Sequence, residues 1–219
     1  VNTVKKDYRE MDRALAEHVT QRVSRLQSSY KRNDADAVAA IARLRRGVGH
    51  PAGSLMDLWD LTFDKLPEIL SDQSSFSFAE RDGAPTAWEQ AAHDAITLHA
   101  WHQQSKSEPM HQRGATFGGA LRTLGYRTSE DAVHRRFQAL GASDRHEARL
   151  VLLRGLISQL RAHTIALDYA SLARDLRQLD HGTSTDQVLL RWGRDYHLTK
   201  PDGTDPGDAD TTPVKGVDQ

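Results

Sequence analysis

His93, Asp94, His99 and His102 are the residues of this chain whose types and spacing come nearest to a metal centre. His99 and His102 stand three apart, one turn of a helix, and His93-Asp94 lies a turn or two earlier. Facing imidazoles can hold zinc, and a His-Asp pair beside them could activate water against a phosphoester, which would make the chain a helical metal-dependent phosphohydrolase using His93, Asp94 and His102. No H-E-x-x-H accompanies them, and eleven His in 219 residues make chance pairs common. The plainer expectation is a helix face in which His99 packs inward and His102 points at solvent or phosphate. No metal is expected.

Other chemistries find less support. Gly47-Val48-Gly49 followed by Gly53 superficially resembles a dinucleotide fingerprint, but the last Gly is one residue late and a helix precedes it where a strand is needed. There is no G-x-x-x-x-G-K-[ST] and no G-x-S-x-G elbow. The absence of Cys removes disulfides, thiolate nucleophiles and cysteine-held metals together. No catalytic residue, enzyme activity or cofactor is expected.

Basic residues carry more weight. Net charge is −1, from 29 Lys+Arg against 30 Asp+Glu, yet the charges are segregated. Between Trp101 and Arg161 ten Lys/Arg face five Asp/Glu, whereas residues 199–219 hold two Lys against five Asp. Clustering creates a local field that net charge conceals. Arg43, Arg45 and Arg46 form one group; Lys106, His111 and Arg113 lie in a polar loop, with Arg122 beyond it. Arg135 and Arg136 adjoin Phe137. Arg154 and Arg161 are seven apart and so lie within roughly 20° on one helix face. Guanidinium forks suit phosphate oxygens. The competing expectation is a set of solvated faces laced with ion pairs to Asp and Glu. Aromatic stacking should be secondary, since aromatics are 6% of the chain and most have core spacing.

The elements that must position these groups are helices throughout. Met11, Leu15, Val19, Val23, Leu26 and Tyr30 line one face of a long first helix. Asn33 or Asp34 caps a second with Val38, Ile41 and Leu44 inward, ending near Gly47. Ser54 with Asp57 predicts a capping box, and Pro67 a stop. Residues 71–85 predict a loop that Phe76 and Phe78 could anchor. Thr86 with Glu89 opens the helix bearing Trp88, Ala92, Ala95, Leu98 and His102. Further helices are expected from Phe117 to Gly125, from Thr128 with Asp131, from Asp144 with Glu147, after Asp168, and after Ser184 with Gln187.

The expected fold is all-α: two small helical bundles packed together, residues 1–125 and 126–198, followed by a disordered acidic C-terminal tail, 199–219. No run of about eighteen apolar residues exists, so no membrane is expected. The N-terminal residues lack the apolar stretch of a secretory signal, and a cytoplasmic location is expected.

Seven short segments, taken in order, carry a resemblance. They are Ala42-Arg43-Leu44-Arg45-Arg46-Gly47, His102-Gln103-Gln104-Ser105, Thr116 to Leu121, Arg135 to Leu140, Leu153-Arg154-Gly155-Leu156, Leu167 to Leu176, and Trp192-Gly193-Arg194-Asp195-Tyr196. Each is weak alone; together, over roughly Val38 to Tyr196, they resemble the CasB family, the small subunit of type I-E CRISPR Cascade. The resemblance implies an all-helical, non-catalytic subunit of a crRNA-guided antiviral surveillance complex. The implied partners are the Cascade backbone and large subunits, a second copy of itself, crRNA and the displaced strand of target DNA. It also implies that Arg45, Arg46, Arg135, Arg136 and Arg154 match the family's basic surface; Lys106, Arg113, Arg122 and Arg161 are added from the basic loop and faces described above. Some relatives carry a basic residue where Gly119 stands, and the family assigns no role to the acidic tail. The alternative is a helical interaction scaffold without nucleic-acid contact.

Overall fold

The computed structural model describes residues 7–73, 76–181 and 184–198. Among them are eleven α-helices, one 3-10 turn and no strand, with an isolated bridge between His111 and Leu167. The fold is all-α, as expected. The acidic tail, 199–219, lies outside the described residues. None of the described helices is long and apolar enough to cross a membrane.

Helix α1, Tyr8–Lys31, starts where the Asp7 carboxylate accepts the amides of Arg9 and Glu10. Its Met11, Leu15, Val19 and Val23 point inward. On the same buried side Asp12 grips Arg177 through two guanidinium nitrogens, and His18 Nε2 donates to the Thr62 carbonyl at 2.7 Å. Helix α2, Ala35–Arg46, is capped by Asp34 and buries Ala37, Ala40, Ile41 and Leu44. Val38, expected inward, is 45% exposed because the buried stripe runs through the alanines instead.

The expected Ser54/Asp57 capping box does not form. Ser54 Oγ donates to the Pro51 carbonyl, Asp57 is held by Arg46, and the chain makes a 3-10 turn, Met56–Leu58, before α3, Trp59–Thr62. A single turn, α4 (Glu68–Ser71), follows Pro67, and the stretch expected as a loop, 71–85, contains another, α5 (Phe78–Arg81), with a Ser77/Glu80 capping box. Phe78 anchors nothing; it is 86% exposed.

Helix α6, Ala87–Gln103, opens with the Thr86/Glu89 capping box and is buried on nearly all sides. Small residues at Ala91, Ala92, Ala95 and Ala100 let α1, α2, α9 and α10 approach it. After it come α7 (Phe117–Arg127), α8 (Glu130–Gly141), α9 (His146–Ala162), α10 (Tyr169–His181) and α11 (Thr185–Leu198). Helix α7 runs past Gly125, and Ser129 rather than Thr128 caps α8. The expected Asp144 cap on α9 is also absent. That helix begins at His146, whose imidazole meets Asp94 and Asp180 of neighbouring helices. Helix α10 lies against α1 and α6, and α11 against α7, so the two stretches meet through a shared core.

Candidate nucleic-acid interface

Trp101 sits in the last turn of α6, half-buried, with its indole N–H donated to Ser158 Oγ at 2.9 Å. Three guanidiniums surround its ring. Arg45 comes from the end of α2, and Arg154 and Arg161 from one face of α9; their Cζ atoms lie 5.6, 5.7 and 5.3 Å from the ring centroid. The two on α9 converge because seven residues return a helix to nearly the same azimuth. Arg161 is fixed further by the Trp101 carbonyl at 3.1 Å and Gln104 Oε1 at 2.8 Å. Lys106 joins this end of the molecule: its ammonium donates to Thr164 Oγ1 at 2.9 Å, three residues past Arg161.

No carboxylate among the described residues pairs with Arg45, Arg154, Arg161 or Lys106. Three like charges around one ring repel one another, and cation–π attraction of about 0.5–1 kcal/mol each at exposed sites offsets part of that. What remains is an unneutralised field suited to an anionic polymer.

The other expected residues lie elsewhere. Arg46 is engaged by Asp57 at 2.6 Å. Arg122 is paired with Glu130 and lies over the Tyr126 and Tyr196 rings. Arg135 and Arg136 are exposed on α8 with no ion pair among the described residues. Arg113 is exposed and lines a groove beside α1 and α10. Trp101, at the centre of the cluster, escaped the sequence reading; its signal was a Trp one turn past Leu98, outside the alanine-rich face.

The histidines take no part in this surface. His102 does not face solvent: it is fully buried, with Nδ1 2.9 Å from the Tyr169 hydroxyl, and burial depresses its pKa to about 3. His99 is equally buried, and burial holds it well below the ordinary range. His93 Nε2 donates to the Gly47 carbonyl at 3.0 Å, and Asp94 accepts from Gln90 at 3.0 Å while facing His146. His93, Asp94 and His102 therefore serve three separate contacts, and among the described residues no cluster of three or more His, Asp or Glu is placed to hold a metal ion.

The sequence model of the CRISPR-associated protein Cse2 family matches residues 40–197, which contain the whole Trp101 cluster. The chain belongs to the Cse2 family. The crystal structure of CasB from Thermobifida fusca superposes with a TM-score of 0.71 at 33% identity, covering 84% of this chain and 98% of that one. A Cse2-family CRISPR-associated protein from Thermus thermophilus shares the fold, with a TM-score of 0.58 at 22% identity over 84% of this chain and 98% of that chain. No curated protein matches the chain in sequence. The CasB likeness carried by the seven ordered segments is thus met, in sequence and in fold.

Proposed function

We propose that the chain is the non-catalytic small subunit of a cytoplasmic type I-E Cascade. In this reading it sits beside the backbone and large subunits with a second copy of itself. There it holds the displaced DNA strand and the guide–target duplex by contacts that ignore base sequence. The observation that carries the reading is the unneutralised trio Arg45, Arg154 and Arg161 around Trp101. Exchanging a DNA duplex for an RNA–DNA hybrid is nearly balanced, so a few phosphate contacts can tip it. Such contacts position a strand without reading it and weaken with salt.

Two paired reversals test the reading in the assembled complex: Arg45→Glu with Arg154→Glu, and Arg135→Glu with Arg136→Glu. Each is expected to weaken R-loop formation while leaving the helical fold intact. The logarithmic salt slope should flatten by roughly 0.7 for each single-strand phosphate no longer neutralised. Unchanged DNA affinity and an unchanged salt slope in both would overturn it.

A second reading, an interaction scaffold that touches subunits alone, is favoured by the exposed apolar side chains Met56, at 79%, and Phe78, at 86%. Identical DNA crosslinking of the complex with and without this subunit would decide for the scaffold.

A further inference from the structure

Residues 51–90 reverse the charge balance of the stretch that follows them: eight Asp/Glu stand against Lys65 and Arg81 alone. A groove of about 400 Å³ opens in this acidic stretch, between the turn at 51–54, α3, α5 and the first turn of α6. Trp59, Phe63, Phe76, Pro51 and Pro85 give it apolar walls; Glu80 and Glu89 also line it, and no Lys, Arg or His does. The exposed side chains of Met56 and Phe78 flank these lining residues in the chain.

The walls are fixed by contacts within the chain. Gln90 Oε1 accepts the Ala52 amide at 2.9 Å, and the Ala84 amide donates to the Ala79 carbonyl at 2.9 Å. Trp59 lies over Gly53, where an added Cβ would stand 3.3 Å from its ring, and edge-on to Phe63, with 5.1 Å between centroids. Each glutamate commits one oxygen, Oε2, to a capping box: Glu80 to the Ser77 amide and Glu89 to the Thr86 amide. The other oxygen of each accepts from no described residue, and neither carboxylate enters an ion pair among the described residues. Asp57 and Asp64, by contrast, are paired with Arg46 and Arg22.

Two carboxylates in an aromatic-walled groove repel phosphate and attract a cation from outside. A guanidinium answers every wall: its methylene stem packs on apolar side chains, its plane stacks on an indole, and its fork meets carboxylate oxygens. Trp101 makes the same indole–guanidinium contact inside this chain, with three arginines. An ammonium would supply the charge without the stacking plane. We propose that the groove docks an arginine presented by a segment of another protein chain, its guanidinium held between Trp59 and the pair Glu80 and Glu89. Docking goes beyond the strand-holding role. It gives the chain a protein-docking surface with its own chemistry, and it stands whether or not the Trp101 cluster meets nucleic acid.

The probe is the pentapeptide acetyl-GLRLG-amide, titrated into the isotope-labelled full chain, with citrulline in place of the arginine as an uncharged control of the same shape. The arginine peptide should shift the Trp59 indole N–H and the Gly53 and Ala84 amides. It should bind about tenfold more tightly than the citrulline peptide. Glu80→Gln with Glu89→Gln keeps both capping boxes, because Gln fills that position as Glu does; in that variant the two peptides should bind alike. No shift at these three sites up to roughly 10 mM arginine peptide would overturn docking. So would equal affinities of the two peptides for the parent chain, or shifts centred on another acidic surface. In the assembled complex, p-benzoylphenylalanine in place of Phe78 should crosslink to a protein subunit, with a lower yield when both glutamates are Gln. Crosslinks to nucleic acid alone, or a yield indifferent to the two glutamates, would contradict the proposal.

Discussion

A Gly118→Ala variant is expected to lose about 3 kcal/mol of stability, the upper range for forcing an added methyl into a closed contact. Gly118 lies in the first turn of α7, pressed against α11. A Cβ there would stand 2.2 Å from the Trp192 carbonyl oxygen and 2.8 Å from both Asp195 Cβ and the Tyr196 amide nitrogen. Two of those three neighbours are backbone atoms, so a side-chain rotation cannot relieve the clash. The two helices must separate, loosening the packing of Phe117 on Trp192, whose ring centroids lie 4.7 Å apart. Gly155→Ala is the control. Gly155 is exposed in the middle of α9 with nothing within 4 Å of an added Cβ, so that variant should gain roughly 0.5–1 kcal/mol from helix propensity. Urea midpoints of the two variants should move in opposite directions. A Gly118→Ala midpoint equal to that of the parent would refute the close approach of α7 and α11.

His146→Ala should cost a similar amount at neutral pH and should also change how stability depends on pH. His146 Nδ1 lies 2.8 Å from Asp180 and Nε2 lies 3.3 Å from Asp94, so both ring nitrogens face carboxylates and the imidazole is held as the cation. The bond to Asp180, then that to Asp94, raises its pKa to about 10. Burial pushes the Asp94 carboxyl upward, and the His146 cation pulls it back. Arg149 binds the other oxygen of Asp180 at 2.6 Å, so α6, α9 and α10 are joined at one node. Removing the imidazole leaves Asp94 buried without its cation, a loss on the order of 3 kcal/mol.

Since the folded state holds the His146 proton more tightly than the unfolded chain, this contribution is complete below about pH 6.5. It declines as pH rises and is gone once pH passes about 10. The difference in unfolding free energy between parent and His146→Ala should therefore be full at about pH 6.5 and shrink between those limits. A difference that stays level from pH 6 to about 10 would contradict the node.

The sequence discloses those features that adjacent residues decide. Asp34, the Thr86/Glu89 pair and Asp168 each cap a helix as expected, because a cap is a contact within three residues of itself. Expected caps failed for two reasons: Arg46 captured Asp57 across eleven residues, whereas at α8 the adjacent Ser129 caps in place of Thr128, and α9 begins with no side-chain cap at all. The same division governs the site. Arg154 and Arg161 were legibly on one face because helical geometry alone sets it. That Arg45, more than a hundred residues earlier, meets them over Trp101 depends on how α2 and α9 pack on α6. Arg46 and Arg122 looked free in a list of cations; their ion pairs with Asp57 and Glu130 are products of folding. His102 fell on the wrong side of the expectation because α6 is enclosed nearly all round, and periodicity cannot signal a helix without a wet face.

The cluster around Trp101 is tested most directly by replacing that residue with the photo-crosslinker p-benzoylphenylalanine in the assembled complex bound to an open DNA target. Irradiation should join position 101 to the displaced strand, with the yield falling as salt rises. Crosslinks to neighbouring subunits alone, with the displaced strand recovered unmodified, would contradict the assignment.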